Sequence, residues 1–342
     1  MFQEKLKELV AGTTLSEQEA EGMMDEIMDG QASPAQIAGF LSILSLRGET
    51  VEELTGCVRS MRAHAKHLNS NRELMDIVGT GGDGTATFNI STASAIVLSA
   101  LGVDVAKHGN RSVSSTSGAA DVLEALGIPV RTTPEEAERL LERTHMCFLF
   151  APVYHASMKY AIEPRKALGF RTIFNLLGPL TNPAGAQRQL LGVYSEKAAE
   201  AYAHAVSSLG THRTLIVSGE DGMDEISVTG ATRCLLVERG QIRRFTLTPE
   251  SVGLASGTMS GIQVSNPAES AALIEQILDG ETANRTARNA VLLNAGAGLF
   301  VAGRTSTIAE GVHEADQAIG DGKARRQLSL LRAQRTEAAA HA

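Results

Sequence analysis

Apolar residues recur at helical spacing through the first sixty residues of the chain. Two groups place apolar side chains on one face of a helix, Met23, Met24, Ile27 and Met28, then Ile37, Phe40, Leu41 and Leu44. Three segments fit a capping box, in which Ser or Thr precedes Glu or Gln by three positions: Ser16–Glu19, Ser33–Gln36 and Thr50–Glu53. This pattern predicts a small all-helical unit.

From residue 76 onward, short apolar runs alternate with helical patterns. The predicted strands are Asp76–Val78, Val103–Ala106, Cys147–Phe150, Gln189–Tyr194 and Thr214–Ser218, followed by a hairpin, Arg233–Glu238 and Gln241–Leu247, that turns at Gly240. The predicted helices are 92–101, 119–126, 134–144, one opened by a capping box at Asn266–Glu269, 285–301, 306–319 and 323–335. Continuous apolar strands between helices are typical of a parallel sheet covered on both faces. We therefore predict an α/β fold with a mainly parallel central sheet.

One segment, residues 152–187, interrupts this alternation. It has four prolines and the helix-like stretch Arg171–Leu177 but no predicted strand, so we expect the chain to return there to the helical unit. The predicted small domain comprises residues 1–70 and about 163–187, and the large domain comprises 71–162 and 188–342. The two crossings, near Leu68–Leu74 and near Glu163 and Gln187, would form a hinge.

Composition narrows the classes of function. The 342 residues are 43% apolar, enough for a substantial core, and carry a net charge of −8, which argues against a general nucleic-acid or membrane surface. Any phosphate site must therefore be local. Cys57, Cys147 and Cys234 are odd in number and far apart, so they indicate neither a disulfide framework nor a zinc site. No secretory pattern or long apolar run is present, and we expect a cytoplasmic protein.

Glycines are concentrated between the first predicted strand and the helix that follows it. Gly79, Gly81, Gly82 and Gly84 are four glycines within six residues, in the stretch Gly79–Thr92. Glycine lets a backbone approach a ligand closely, and a helix N-terminus attracts anions. The stretch matches no P-loop, and a tight turn that binds nothing is the alternative. Four glycines beside Asp83, Asn89, Ser91 and Thr92 favour a phosphate-binding loop.

Two further polar segments follow predicted strands, Lys107–Arg111 and Gly219–Glu225. Ligands of parallel sheets bind beyond the carboxyl ends of the strands. We therefore expect both segments to lie beside the glycine-rich stretch Gly79–Thr92, called the glycine loop below. Asp224 and Glu225 would then suit Mg²⁺, which binds carboxylates, water and substrate phosphates. Arg165, placed after a turn at Pro164, is either a surface charge or a clamp for a carboxylate.

Taken together, these segments resemble the anthranilate phosphoribosyltransferase family of tryptophan biosynthesis. The blocks that match it in order are Gly79–Asp83, Asn89–Thr92, Lys107–Arg111, Ser117–Gly118 with Asp121, Arg165 with Leu168–Pro183, and Asp224–Glu225. The resemblance implies a small α-helical domain hinged to a large α/β domain of the nucleoside phosphorylase and phosphoribosyltransferase type. It also implies a homodimer formed through the helical domains and Mg²⁺-dependent use of phosphoribosyl pyrophosphate (PRPP).

The resemblance also assigns roles to single residues. For PRPP they are Gly79, Gly82, Asp83, Thr87, Asn89, Ser91, Thr92 and Lys107; for anthranilate, Gly79, His108, Asn110 and Arg165; for the metal, Ser91, Asp224 and Glu225. No residue is assigned as a general base. Thr116 stands where many relatives have Lys or Arg, so a phosphate contact is not expected from that position.

Two other functions remain open from the sequence. Pyrimidine nucleoside phosphorylases share the two-domain architecture and a glycine-rich phosphate loop, although Lys107–Arg111 is unlike their corresponding loop. A non-catalytic relative that binds nucleic acid is the second, and the acidic net charge disfavours it.

Overall fold

The computed structural model describes residues 1–112, 117–281 and 283–340. Its α-helices are α1 Phe2–Val10, α2 Glu17–Met28, α3 Pro34–Arg47, α4 Val51–Ala63, α5 Ile90–Ala100, α6 Ala119–Ala125, α7 Pro134–Thr144, α8 Ala151–Tyr154, α9 Lys159–Leu168, α10 Phe174–Leu177, α11 Glu196–Ser208, α12 Pro267–Leu278, α13 Arg285–Val301, α14 Ile308–Gly320 and α15 Lys323–Ala340. Its strands are β1 Met75–Gly79, β2 Val105–Gly109, β3 Met146–Phe150, β4 Arg188–Gly192, β5 Arg213–Gly219, β6 Thr232–Glu238 and β7 Gln241–Leu247.

The predicted helical unit is confirmed. All three capping boxes are formed at the starts of α2, α3 and α4. The apolar faces of these helices meet in one buried core, to which Ala161 of α9 and Phe174 of α10 also belong. Residues 152–187 contain no strand, as predicted, and they return to this core. The exact division into domains stays a prediction.

The central sheet is seven-stranded, in the order β3-β2-β1-β4-β5-β6-β7. Strands β1 to β5 are parallel, and β6 and β7 form the predicted antiparallel hairpin. Arg239 and Gly240 both have positive φ, 50° and 78°, as a two-residue hairpin turn requires. The mainly parallel sheet covered by helices is therefore confirmed.

The topology places a ligand site at one point of the sheet. After β1 the chain builds β2 and β3 on one side, and β4 to β7 lie on the other. Such a reversal opens a crevice beyond the carboxyl ends of the two central strands. Gly79 ends β1 and is paired with Gly192, which ends β4. The glycine loop therefore begins at the switch point.

Strand β2 covers Val105–Gly109, whereas the sequence predicts a strand over Val103–Ala106. Lys107 and His108 belong to the strand, in register with Phe148 and Leu149 of β3, whereas the pattern places them in a loop. Charged and polar residues normally end a buried strand. Here the strand continues because the Lys107 ammonium donates to Ile77 O and the His108 N–H donates to the Asp76 carboxylate.

Three smaller predictions also need correction. Pro164 lies inside α9, so the prediction of a turn there is wrong; the helix continues to Leu168 and is capped by Gly169, whose φ is 67°. The helix predicted over Arg171–Leu177 begins only at Phe174, because the Thr172 N–H is bound by the Asn175 side chain. At α12 the Glu269 carboxylate accepts from the backbone N–H of Ser265, so the capping box predicted there is not formed.

No helix in the described parts of the chain is long and apolar enough to cross a membrane.

Candidate active site

The glycine loop has a backbone that only glycine adopts readily. Gly81, Gly82 and Gly84 have φ of 70°, 70° and 78°, in the left-handed region. Between them, the Asp83 carboxylate accepts from Thr85 N–H at 3.1 Å and from Thr85 Oγ1 at 2.6 Å, which forms an Asx turn. The loop is therefore shaped by local bonds, and its later part is held where Thr87 bridges Gln263.

The loop leads into the N-terminus of α5. The Asn89 side chain caps this helix by accepting from the Thr92 N–H at 3.0 Å, and it also accepts from Ser91 Oγ at 3.2 Å. The Thr92 hydroxyl is buried and has no hydrogen-bond partner among the described residues. An unpaired buried hydroxyl at the positive end of a helix dipole suits an anion.

Lys107 places a buried positive charge beneath this helix. Its ammonium donates to Ile77 O at 2.6 Å and to Ser91 Oγ at 3.0 Å, and its side chain is almost fully buried. Burial lowers the pKa of Lys107, and attraction to Asp76, Glu225 and Asp224 opposes that shift. The lysine thus offsets the charges of carboxylates that come from separate strands.

Asp224 and Glu225 lie directly against the glycine loop. The Asp224 carboxylate accepts from the Gly81 N–H, and a Cβ on either Gly79 or Gly192 would overlap Asp224. Burial raises the pKa of Asp224, and the neighbouring Asp83 raises it further. Burial also raises the pKa of Glu225, with a contribution from Asp224, while a hydrogen bond from the Ser91 N–H acts in the other direction. Loops from β1 and β5 therefore share one site.

These residues fit a magnesium ion that the substrate helps to hold. Among the described residues, no three His, Cys, Asp or Glu side chains are grouped so as to hold a metal alone. Two crowded carboxylates beside the Ser91 hydroxyl would instead supply part of an oxygen shell, and water and phosphate oxygens would complete it. A dication would also offset the burial of the two carboxyl groups and their repulsion of neighbouring acids, which together raise both pKa values.

The other acids of this segment have structural roles. The Asp221 carboxylate accepts from the hydroxyls of Ser227 and Thr229, which closes the turn. Glu220 is exposed and lies 3.8 Å from the Arg233 guanidinium.

His108 is a neutral imidazole in a buried position. Its Nδ1 lies 3.1 Å from Gly178 O. A carbonyl only accepts, so Nδ1 carries the proton and Nε2 is left as an acceptor; Nε2 has no partner among the described residues. Burial lowers the pKa of His108 to about 3, with a contribution from His155. A group with so low a pKa is too weak to be an effective general base near pH 7.

The polar groups of Asn110 and Arg111 are bonded within the protein, whereas Arg165 has no carboxylate partner among the described residues. The Asn110 side chain accepts from the Arg111 N–H at 2.7 Å, and the Arg111 guanidinium is paired with Asp121 and Glu124. Arg165 is partly buried over the Phe174 ring, and no carboxylate pairs with it within the described ranges. Burial lowers the pKa of Arg165. Its unpaired charge is available to an anionic ligand.

The hydroxyl-rich segment after Arg111 lies partly outside the described residues. Ser114, Ser115 and Thr116 belong to the undescribed part, and so does the prediction made for Thr116.

Two family models match the chain. A glycosyl transferase family helical bundle domain matches residues 3–65, and a glycosyl transferase family a/b domain matches residues 71–325. A curated anthranilate phosphoribosyltransferase from Geobacillus sp. (strain WCH70) is 52% identical over 337 residues, covering 98% of this chain and 99% of that protein. The chain belongs to the anthranilate phosphoribosyltransferase family.

Solved structures of this family have the same fold. The anthranilate phosphoribosyltransferase of Thermus thermophilus is 43% identical, with a TM-score of 0.88 over 96% of this chain and 99% of its own. The Saccharomyces cerevisiae enzyme, in one structure with PRPP and Mg and in another with 4-fluoroanthranilate, is 27% identical, with a TM-score of 0.89 over 98% of each chain. These comparisons support neither the nucleoside phosphorylase nor the nucleic-acid-binding alternative.

Sequence reasoning missed residues that support the site in this anthranilate phosphoribosyltransferase family member. Asp76 is fully buried in β1 and accepts from the His108 N–H at 3.1 Å and from Asn182 Nδ2 at 2.7 Å. Burial raises the pKa of Asp76 to about 6, and attraction to Lys107 acts in the other direction. An acid inside an apolar strand was the signal for Asp76, since buried charges need partners.

Gly192 was also missed, although glycine at a strand end often marks a close backbone approach. Here the backbone of Asp224 occupies the space that a side chain would fill.

Proposed function

We propose that this chain transfers the phosphoribosyl group of PRPP to the amine of anthranilate, giving N-(5-phosphoribosyl)anthranilate and pyrophosphate in tryptophan biosynthesis. The observation that carries the proposal is the direct contact between Asp224 and the Gly81 N–H at the switch point of the sheet. It joins an acidic loop suited to a metal with a glycine loop suited to a diphosphate. Family membership supports the same reaction.

The reaction breaks the bond between ribose C1 and the pyrophosphate oxygen, so negative charge develops on the leaving group. Bound Mg²⁺ would neutralise part of that charge, and we assign Ser91, Asp224 and Glu225 to it. Fixed N–H donors of the glycine loop, the Thr92 hydroxyl and the positive end of the α5 dipole are suited to stabilise the rest. We assign PRPP binding to Gly79, Gly82, Asp83, Thr87, Asn89, Ser91, Thr92 and Lys107.

Anthranilate needs positioning more than activation, because an arylamine is neutral and nucleophilic near pH 7. We assign its carboxylate to Arg165, whose charge has no carboxylate partner within the described part of the chain. The free Nε2 of His108 is suited to accept from the amine, and Gly79 and Asn110 complete the assignment.

The activity is tested by following anthranilate fluorescence with purified protein. We expect the fluorescence to fall only when anthranilate, PRPP and Mg²⁺ are all present. Turnover of a pyrimidine nucleoside with phosphate, or tight, salt-sensitive DNA binding without loss of fluorescence, would contradict the proposal.

Arg165→Ala should raise the KM for anthranilate by roughly 10- to 100-fold, because it removes a charge-assisted hydrogen bond worth about 1.5–3 kcal/mol. The KM for PRPP should change little. The matched control is Lys166→Ala, which removes the neighbouring exposed cation. Equal anthranilate KM values in the two variants would remove Arg165 from the site.

We further propose a homodimer formed through the helical unit. The helical unit exposes the apolar side chains of Val10, Leu46 and Ile162. Leu46 lies on α3 and Ile162 on α9, and these two helices pack together. Light scattering at micromolar concentration should give twice the 36.1 kDa chain mass. Leu46→Asp with Ile162→Asp should give monomers, whereas Leu330→Asp, an exposed apolar position on α15, should not. A monomeric parent protein would refute the dimer.

We place the protein in the cytoplasm. Its three cysteines are buried free thiols, which suits a reducing compartment.

A further inference from the structure

Arg171 connects the helical unit to the glycine loop. Its backbone carbonyl accepts from Ser45 Oγ of α3 at 3.0 Å. Its guanidinium donates from Nη2 to the carbonyl of Gly82 and lies 4.4 Å from the centre of the Tyr194 ring, just beyond β4. One residue between α9 and α10 thus contacts α3, the glycine loop and the switch point of the sheet.

The contact with Gly82 fixes an otherwise adaptable peptide. A Cβ at Gly81 or Gly84 would meet nothing within 4 Å, so this part of the loop has open space around it. Glycine-rich backbone loses more conformational freedom on ordering than other backbone does. A bond to one carbonyl of such a loop therefore restricts it considerably.

The same contact orients a donor. The peptide that joins Gly82 to Asp83 is planar and trans, so its N–H points away from its carbonyl. With the Gly82 carbonyl held by Arg171, the Asp83 N–H is directed to the opposite side of the loop. Ordered N–H groups of this kind bind anions such as phosphate.

The position of the Arg171 guanidinium is set by contacts other than ion pairs. Across the described ranges no carboxylate pairs with its guanidinium, so the Gly82 carbonyl and the Tyr194 ring define its position. A planar guanidinium can stack on a ring while donating in its own plane, which an ammonium cannot do.

We propose that Arg171 is a positioning residue: it holds the glycine loop in the conformation that binds the pyrophosphate of PRPP and links that conformation to the helical unit. It acts through the Gly82 peptide. The inference rests on the proposed function for the identity of the ligand. The contact between Arg171 and the glycine loop does not depend on that function.

The test compares Arg171→Ala, Arg171→Lys and Tyr194→Leu in the full-length protein. Arg243→Ala is the matched control, because Arg243 also stacks on a ring, Phe245, on the edge strand β7. Hydrogen exchange of the amides of residues 80–85 is measured without ligands, and KM and kcat are measured for both substrates. Melting temperature checks folding.

Arg171→Ala should speed loop exchange and raise the KM for PRPP by about 10-fold or more. The KM for anthranilate should change by less than about twofold, since that substrate contacts other groups. Arg171→Lys should recover part of both effects because it keeps one donor, and Tyr194→Leu should show smaller changes in the same direction.

Unchanged loop exchange in Arg171→Ala would overturn the inference. If the KM for PRPP then still rose, Arg171 would be a direct ligand of PRPP. If the parent protein showed no turnover of anthranilate with PRPP, the proposed function would fail, and the exchange rates would still decide whether Arg171 orders the loop.

Discussion

Replacing Asp224 with Asn and Glu225 with Gln should remove Mg²⁺-dependent turnover, lowering kcat by at least about 10²-fold. Both carboxylates are crowded at the glycine loop, and their negative charge is what would hold the ion opposite the leaving group. Amides of the same shape accept hydrogen bonds but bind Mg²⁺ poorly. The measurement is the rate of anthranilate fluorescence loss across a Mg²⁺ titration.

Folding should survive this double substitution. The amide oxygen that Asp224→Asn introduces can still accept from the Gly81 N–H, and the buried Lys107 ammonium keeps Asp76 as a carboxylate partner. Glu220→Gln, in the same segment but exposed, is the matched control and should keep the parent rate. Full Mg²⁺-dependent activity in the double variant would show that the ion is held by other groups.

The elements of the fold could be predicted because their signals are local. Each of the three N-terminal capping boxes needs only four consecutive residues, and all three are formed. The continuous apolar run Cys147–Phe150 predicts a strand buried on both faces, and all four of its residues are buried in β3. Once the strands were recognised as parallel, the meeting of polar loops at their carboxyl ends followed from topology.

Features that depend on distant partners could not be predicted in this way. Lys107 extends β2 because its ammonium finds Ile77 O and Ser91 Oγ, which local sequence does not show. The local sequence marks Arg171 only as the start of a helix-like stretch, whereas its guanidinium contacts Gly82, 89 positions away. Long polar side chains choose partners by three-dimensional proximity, and a single sequence carries no direct signal for it.

The structure supports the assigned roles of some site residues by direct contacts and leaves others as predictions. The structure brings Ser91, Lys107 and the glycine loop into contact with one another or with the acidic segment. Arg165 is not joined to them by a hydrogen bond among the described residues, and its contact is with Phe174. Its assignment to anthranilate therefore stays a prediction that the Arg165→Ala kinetics must decide.

Gly192→Ala should reduce kcat/KM by about 10²-fold, although Gly192 itself offers no side chain to the reaction. A Cβ at this position would overlap the carbonyl of Asp224, and backbone atoms cannot rotate away as a flexible side chain can. The segment carrying both carboxylates would have to shift, and a displacement of about 1 Å in a site can cost about 10²-fold in rate. Steady-state kinetics with saturating Mg²⁺ measure the loss.

The same overlap should lower the free energy of unfolding by about 1–3 kcal/mol, the usual cost of overpacking a buried position. Gly230→Ala is the matched control, because Gly230 follows the same acidic segment, has no positive φ and would place its Cβ in open space. If Gly192→Ala loses stability but keeps its activity, the backbone has relaxed without moving Asp224. Loss of activity in Gly192→Ala but not in Gly230→Ala would instead show that the close approach of Asp224 to β4 sets the geometry of the acidic loop.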